Sequence, residues 1–450
     1  MRIVIVGAGK VGAVLCGDLS REGHDITLIE QKEDRLQDMT ERYEILGVQG
    51  NGAFYDVQME AGVDKADMLI SVTPMDEVNI ISCVIAKKLG AKHAIARVRT
   101  PEHAAHIGFV RDSLGINRMI NPDLEAAQEI YRMVRYPSAL SVEPFAGNRI
   151  NLVELLVTED SVLYNTDLAA LRKTFQSLLV CMVVRGEQTI IPRGNTRLEL
   201  DDRVFIIGKP QDMSTLYRQM GTVTRIRSVL IVGGGRICRY LLELLKEWKL
   251  DIKVIESNPG AAEDLAVSFP DISVIRGDGT DQDLLDAENI QGYDCVVSLT
   301  GIDEENILVS LFASSRGVPR NITKVNRTNL LNMLKGMGIQ SVITPADLVT
   351  TNILRVVRAI SNSEGSKVEA LYRLKGSSAE VLQFRLPDNP ALTGRPIREL
   401  DLKPGTLIAA IIKNQQLIIP TGDSVMQPGQ HVLVVSSSGA WEDIEEMLEE

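Results

Sequence analysis

Three glycines near the start of the chain have the spacing of a phosphate-binding turn. Gly7, Gly9 and Gly12 form a G-x-G-x-x-G pattern directly after the apolar run Arg2–Val6 and directly before a helical pattern. In that context the first glycine allows a tight turn, the second lets a pyrophosphate approach the backbone, and the third lets helix and strand pack closely. The unpaired N–H groups and the positive end of the helix dipole would bind the anion.

An acidic residue follows at the distance where nucleotide-binding folds place a ribose ligand. Glu30 ends the next apolar strand pattern, Asp25–Glu30, and lies 21 residues after Gly9. Its carboxylate would accept hydrogen bonds from ribose hydroxyls and would repel the additional phosphate of NADP. Together the glycine turn and this acid favour binding of an adenine nucleotide over a turn with a purely structural role.

The same pattern occurs a second time, at an offset of 226 residues. Gly233, Gly235 and Glu256 repeat the first two glycines and the acid, whereas Cys238 replaces the third glycine. With a side chain there, either the helix and strand separate slightly or the turn changes shape. The repeat predicts a second nucleotide site with a different ligand or a weaker affinity, and a buried rather than a reactive cysteine.

Polar residues also recur after two further strands of each repeat. Thr73 and Thr300 follow the fourth strand, and Arg97 and Lys324 end the fifth, where doubly wound sheets place ligand contacts. Each threonine is followed three residues later by an acid, which also fits a capping box. The cations could contact a phosphate across the cleft or form surface ion pairs.

Apolar strand patterns alternate with helical patterns in the segments that must position these residues. Residues 1–134 and 223–361 therefore read as two doubly wound parallel sheets of the Rossmann type. In the first helix, Val11, Val14, Leu15 and Leu19 are expected on the buried face. Each sheet is followed by a β-rich segment, residues 135–222 and 362–450, predicted to be a small α+β module.

Two helical segments join the sheets to the β-rich modules. Pro122–Arg135 and Pro345–Ile360 each begin with a proline, which suits the first turn of a helix. Each is either the last helix of its own sheet or a linker helix that packs against another module.

The composition excludes several classes of protein. The net charge of −12 disfavours nucleic-acid binding, and no uncharged apolar run approaches the roughly 18 to 20 residues that span a bilayer. The five cysteines include no C-x-x-C pair, and the five histidines have no metal-binding spacing. We therefore expect a protein of the reducing cytoplasm that lacks a metal site, a signal peptide and a membrane span.

With these motifs in place, the chain resembles the TrkA family, the peripheral regulatory subunits of Trk-type potassium uptake, which consist of two tandem RCK units. The segments Gly7–Gly12, Val48–Gly50, Ala66–Thr73 and Ile95–Arg99 carry the resemblance. It implies NAD(H) or ATP/ADP as regulatory ligands, a homotetramer that forms a ring of RCK units, and attachment to a potassium-translocating membrane subunit at the inner face of the cell membrane.

Motif and resemblance together define two predicted sites without catalytic residues. The first comprises Gly7, Ala8, Gly9, Lys10, Val11, Gly12, Glu30, Asn51, Thr73, Pro74 and Arg97. The second comprises Gly233, Gly234, Gly235, Arg236, Ile237, Glu256, Asp278, Thr300 and Lys324.

Three functions are compatible with these sites: a ligand-gating subunit, an NAD-dependent oxidoreductase and a structural assembly protein. An oxidoreductase needs a substrate domain with a proton donor facing the nicotinamide, and the sequence offers no such domain. A structural protein has no use for a phosphate turn with its ribose acid. The sequence therefore favours a non-enzymatic nucleotide sensor.

Overall fold

The computed structural model describes residues 1–99, 107–137, 139–145, 150–186, 188–219, 226–327, 339, 341–363, 368–373, 379–413, 416–437, 441 and 443–449. Contacts divide these residues into two compact units. One unit contains Met1–Val134 and Ile226–Leu354, and the other contains Arg135–Arg225 and Arg355–Glu450. Each unit thus combines the corresponding parts of the two repeats.

The first repeat opens with a parallel sheet of six strands in the order β3-β2-β1-β4-β5-β6. This order is that of a doubly wound sheet and confirms the predicted fold class. Its elements are β1 Arg2–Val6, α1 Lys10–Arg21, β2 Asp25–Glu30, α2 Glu33–Arg42, β3 Leu46–Gln49, α3 Tyr55–Glu60, β4 Met68–Ser71, α4 Asp76–Leu89, β5 His93–Arg97, α5 Ile107–Leu114, β6 Arg118–Ile120 and α6 Pro122–Arg135.

The second parallel sheet repeats this topology in the order β14-β13-β12-β15-β16-β17. Its elements are β12 Ser228–Val232, α9 Arg236–Leu245, β13 Asp251–Glu256, α10 Pro259–Ser268, β14 Ser273–Arg276, α11 Gln282–Ala287, β15 Cys295–Ser298, α12 Asp303–Ser315, β16 Arg320–Lys324, β17 Ser341–Ile343 and α13 Pro345–Ser363.

The β-rich segments form two antiparallel sheets of five strands each, with the orders β10-β9-β11-β8-β7 and β18-β19-β22-β20-β21. The elements of the first are β7 Ala139–Phe145, β8 Ile150–Leu156, α7 Leu168–Thr174, β9 Leu178–Arg185, β10 Gln188–Ile190, β11 Arg203–Gly208 and α8 Pro210–Gln219. Those of the second are β18 Val368–Arg373, β19 Glu380–Arg385, β20 Thr406–Lys413, β21 Gln416–Ile418 and β22 His431–Ser436. Buried side chains of both sheets form one shared core, with Phe145 and Ile150 from the first and Val381 and Leu433 from the second.

The helix α6 packs against the second parallel sheet and not only against its own. Ala126, Ala127, Ile130 and Val134 are buried in the same core as Val229 and other residues of β12 and α9. Spacings of one, three and four residues place them within about 100° on one face of α6. This contact supports the linker-helix interpretation, because α6 joins the two parallel sheets into one unit.

One expectation for α1 was wrong. Val14 is 44% exposed, whereas Val11, Leu15, Cys16 and Leu19 are buried. At about 100° per residue the four buried residues cover an arc of about 140° that begins at Val11, and Val14 lies about 60° outside that edge of the arc.

Candidate functional site

The turn between β1 and α1 has the geometry that an anion site requires. Gly7 has a φ of +101°, and its N–H donates to the Ile29 carbonyl at 2.8 Å. Gly9 is the N-cap of α1 in an extended conformation, with φ −73° and ψ −172°, and a Cβ added there would meet no atom within 4 Å. No acidic residue occupies the first turn of α1, so the positive end of the helix faces the space beside Gly9.

Glu30 lies at the edge of this turn, and backbone N–H groups of two nearby residues hold its carboxylate in place. One carboxylate oxygen accepts from the Ala8 N–H at 2.6 Å, and the other accepts from the Lys32 N–H at 3.0 Å. These bonds fix the carboxylate beside the glycines at the end of β2, where a ribose acid is expected.

The second turn matches the first in backbone geometry despite Cys238. Gly233 has a φ of +104°, and Gly235 has φ −69° and ψ −168°. Glu256 accepts from the Gly234 N–H at 2.6 Å and from the Asn258 N–H at 2.7 Å. The turn has therefore kept its shape with a cysteine in place of the third glycine.

Cys238 itself is buried in the core. Burial raises the pKa of its thiol to about 12. The thiol stays protonated at neutral pH and is a packing group, as its replacement of a glycine had suggested.

Asn79, on α4, organises the ends of β4 and β5. Its side-chain oxygen accepts from the Thr73 N–H and hydroxyl, both at 2.8 Å, and from the Ser71 hydroxyl at 2.9 Å. Its amide donates to the Thr73 and Arg97 carbonyls at 3.0 and 2.8 Å. Asn306 makes the matching bonds to Thr300 and Lys324 in the second sheet.

The capping-box interpretation of Thr73 and Asp76 was wrong. The Thr73 hydroxyl bonds to Asn79, while Asp76 accepts from the Arg99 N–H at 2.8 Å and so ties α4 to the segment after β5. Pro74 lies two residues before the first residue of α4 and not in its first turn. The Asp76 carboxylate in the first turn of α4 therefore also holds the segment after β5.

We predict that Asn79→Ala destabilises the protein by about 2–4 kcal/mol. The change leaves the buried Thr73 N–H and the Arg97 carbonyl without this partner, and an unsatisfied buried group costs about 1–3 kcal/mol. Urea denaturation of the full chain measures the effect. Ser82→Ala on the same helix is the control, because the Ser82 hydroxyl has no hydrogen-bond partner among the described residues, and a comparable loss there would contradict the prediction.

Arg97 and Lys324 are not surface ion pairs. The Arg97 guanidinium donates to the Thr73 carbonyl at 2.5 Å, and the Lys324 ammonium donates to the Thr300 carbonyl at 2.6 Å. Burial lowers the pKa of Arg97 to about 10 and also lowers the pKa of Lys324. Arg97 remains a cation at neutral pH, and its buried Nε has no partner among the described residues.

The loop after β3 also lies at the site. Asn51 uses its side-chain oxygen within the loop, where it accepts from the Ala53 N–H at 3.0 Å. The buried Gln58 amide on α3 donates to the Gly52 carbonyl at 2.6 Å. In the second repeat, Asp278 accepts from the N–H and hydroxyl of Thr280 at 2.9 and 2.8 Å, and these bonds lower its pKa.

A cavity of about 640 Å³ joins these groups, and both repeats line it. Of the predicted first site, all residues except Ala8 and Gly12 line it; Ala8 bonds to Glu30, and Gly12 packs under the turn. Of the predicted second site, Arg236, Ile237 and Lys324 line this cavity, whereas Gly233, Gly234, Gly235, Glu256, Asp278 and Thr300 do not. The structure thus brings parts of the two predicted sites together.

Two contacts between the repeats cross this cavity. The Arg236 guanidinium donates to the Asp123 carboxylate at 2.7 Å, and the Lys10 ammonium donates to the Asn326 carbonyl at 3.0 Å. Lys10 and Arg236 are the equivalent first residues of α1 and α9. Asp123 and Asn326 could not be predicted as site residues, since nothing local in the sequence shows that α6 and the segment after β16 lie beside the opposite glycine turn.

The charge of the cavity is opposite to that of the chain. The cationic lining residues are Lys10, Lys32, Arg35, Arg97, Arg99, Arg236 and Lys324, and the acidic ones are Glu30 and Asp123. In a chain of net charge −12, this local excess of cations favours a ligand that carries several negative charges, such as a polyphosphate group.

The described residues contain no group of three or more histidine, cysteine, aspartate or glutamate side chains that could hold a metal ion. Two of the five histidines, His103 and His106, lie outside the described residues. Within the described parts, no helix combines the length and the apolar character needed to cross a bilayer.

Comparison with known proteins gives matches along the whole chain. The TrkA-N domain model matches residues 3–122 and 229–345, and the TrkA-C domain model matches residues 152–221 and 381–449. The Trk system potassium uptake protein TrkA of Halomonas elongata is 33% identical over 439 residues, covering 96% of this chain and 95% of the relative. A TrkA homolog of Archaeoglobus fulgidus is 31% identical over 449 residues, with 100% and 99% covered.

Solved structures share the fold. The GsuK channel superposes with a TM-score of 0.64 at 20% identity, covering 97% of this chain and 77% of the channel chain, and the GsuK channel bound to NAD gives the same values. The GsuK RCK domain superposes with a TM-score of 0.62 at 20% identity, covering 97% of this chain and 92% of the domain. At this identity the likeness confirms the predicted tandem fold and says nothing further of function.

Proposed function

The chain belongs to the TrkA family, and we propose that it is a nucleotide-sensing regulatory subunit of a Trk-type potassium uptake system. The observation that carries the nucleotide assignment is the cavity in which a glycine turn, an anchored acid and buried cations meet. A phosphate would bind the N–H groups at the start of α1, and Glu30 would accept from the ribose hydroxyls.

The ligands we propose are ATP, ADP and NAD(H). All carry two or more linked phosphates on an adenosine, which suits the cation-rich lining. The structure of the GsuK channel bound to NAD supports the dinucleotide, since that channel shares this fold. The residues of the predicted first site that line the cavity are the proposed contacts, completed by Arg236 and Lys324 from the second repeat.

The proposed partner is an integral membrane protein that translocates potassium. Two TrkA relatives are named for potassium uptake, and the described residues include no helix able to cross a bilayer. We therefore infer a peripheral subunit at the inner face of the membrane. A homotetramer, as the family resemblance implies, is part of this proposal.

The proposed regulation needs binding without chemistry on the nucleotide. A ligand shifts a conformational equilibrium only through different affinities for its two states, and a shift from 1:99 to 99:1 requires about 5.5 kcal/mol. If this free energy is divided among the one or two occupied clefts of each of four chains, every cleft must supply a difference in binding free energy of about 0.7 to 1.4 kcal/mol. A few hydrogen bonds to phosphate can supply that difference, and α6, which contacts the cavity and the second sheet, is placed to transmit it.

The alternative, an NAD-dependent oxidoreductase, gains no support from the TrkA relatives, which are named for potassium uptake.

We predict that the purified chain binds NADH at least tenfold more tightly than NADPH. The anchored Glu30 carboxylate offers acceptors to two ribose hydroxyls and repels a phosphate at the same place. Glu30→Gln keeps the side-chain size, removes the repulsion, and should bring the two affinities to within about threefold. Isothermal titration calorimetry with NADH, NADPH and ATP measures these values.

Two results would count against the proposal. Equal affinity of the wild-type chain for NADH and NADPH would overturn the assignment of Glu30. Failure of ATP, NADH and NADPH all to bind would overturn the nucleotide-sensing function.

A further inference from the structure

One carboxylate of the protein, that of Asp123, lies among the cationic side chains of the cavity. Asp123, in the first turn of α6, bonds to Arg236 at 2.7 Å, and its side chain is only 13% exposed. Its charge also acts on Arg97 and Lys324, the two buried cations at the ends of β5 and β16. One carboxylate therefore lies among three cations, a position that also suits a phosphate.

The two repeats differ at this position. Ala346 takes the place of Asp123 at the start of α13, and it lines the same cavity. Lys10, the equivalent of Arg236, accordingly has a backbone carbonyl as its partner and not a carboxylate. A carboxylate at this position therefore occurs in the first repeat only, so the fold of the repeat does not require it.

We propose that Asp123 is a specificity-determining residue whose carboxylate competes with the terminal phosphates of a nucleotide for Arg236. This inference rests on the proposed nucleotide function of the cavity. In this proposal the first phosphate binds at the first glycine turn, and Arg236, which lines the same cavity from the opposite repeat, binds the phosphates beyond it. Such a ligand must separate Arg236 from Asp123, whereas a monophosphate leaves that ion pair in place.

The competition sets how strongly the cavity distinguishes phosphate chain lengths. With Asp123 present, part of the attraction between Arg236 and a terminal phosphate offsets the loss of the existing ion pair. Without Asp123, the full attraction between Arg236 and the terminal phosphate contributes to the affinity for the nucleotide. Removal of an ion pair should therefore strengthen binding of a long phosphate chain, the reverse of the usual effect of deleting a charged residue beside a ligand.

The test compares ATP and AMP binding to the full-length chain by calorimetry. Asp123→Asn, which keeps the side-chain shape, should tighten ATP binding about tenfold and change AMP binding less than about threefold. Ala346→Asp, which places a second carboxylate opposite the first, should weaken ATP binding by a similar factor. Glu129→Gln removes the same charge from α6 at a residue that pairs with Arg132 and does not line the cavity, and it should change ATP affinity less than about twofold.

The outcomes separate this inference from the proposed function. If the wild-type chain binds ATP but Asp123→Asn binds it equally or more weakly, the inference is overturned and the nucleotide function stands. If Asp123→Asn and Glu129→Gln tighten ATP equally, the effect is one of net charge and the inference is likewise overturned. Absence of ATP binding to the wild-type chain would overturn both.

Discussion

Replacement of Gly9 by valine should abolish nucleotide binding at the first glycine turn while the fold survives. A Cβ at Gly9 meets no protein atom within 4 Å, and its φ of −73° is acceptable to any L-residue. The added side chain instead occupies the space through which a phosphate approaches the start of α1. Loss of two charge-assisted hydrogen bonds, at about 1.5–3 kcal/mol each, predicts a decrease in affinity of more than about 100-fold.

The chain supplies a matched control for this variant. Gly235 has the same backbone conformation, and a Cβ there also meets nothing within 4 Å. Gly235→Val therefore carries the same conformational cost but alters the second turn, whose residues Gly233–Gly235 do not line the cavity. Calorimetric titration should show that Gly9→Val strongly lowers the affinity of the cavity for ATP. Gly235→Val should change that affinity only slightly. Equal losses in the two variants would contradict the assignment of the cavity to the first turn.

Gly12→Ala should destabilise the protein by about 2–4 kcal/mol. A Cβ at Gly12 would lie 1.9 Å from the Gly7 carbonyl oxygen, a backbone atom that cannot rotate away. Relief requires α1 to move from β1, and Leu15 and Leu19 of α1 are fully buried against the sheet. The two glycines of one motif thus have different roles, since Gly9 leaves room for a ligand and Gly12 leaves room for the turn itself.

Urea denaturation of Gly12→Ala and Gly9→Ala in parallel measures this difference. Gly9→Ala should change the free energy of unfolding by less than about 1 kcal/mol, because the added methyl group meets only open space. Gly12→Cys, which introduces the residue of the second repeat, should also be destabilising, because α1 lies too close to the Gly7 carbonyl oxygen to leave room for a side chain. A Gly12→Ala protein as stable as Gly9→Ala would show that the close approach of α1 to the turn is not required.

Sequence spacing was sufficient for the features that depend on local backbone geometry. The glycine turns and the acids at the ends of β2 and β13 follow from residues near in sequence, and the limits predicted for β1 and β2 are those of the structure. The alternation of short apolar runs with helices determines a parallel sheet almost uniquely, because parallel strands need such crossovers. For that reason both doubly wound sheets could be predicted.

The features that were missed depend on contacts between distant segments. Asp123 is close to Arg236 only because α6 packs on the second sheet, and a first-turn acid on a helix otherwise indicates nothing more than favourable dipole interaction. Asn79 recurs as Asn306 in the second repeat, but nothing local in the sequence shows that its five hydrogen bonds join the ends of two strands. The sequence left open whether Arg97 contacts a phosphate or forms a surface ion pair, because the Thr73 carbonyl that accepts its hydrogen bond is distant in sequence.

Potassium flux in reconstituted liposomes shows whether nucleotide binding at the first glycine turn regulates potassium movement. The measurement compares nucleotide-dependent potassium flux through the cognate membrane subunit with the wild-type chain and with Gly9→Val. We predict that ATP and ADP produce different fluxes with the wild-type chain and the same flux with Gly9→Val, while both chains bind the membrane subunit. A full nucleotide response with Gly9→Val would contradict the account and transfer the sensing role to the turn at Gly235 and Glu256.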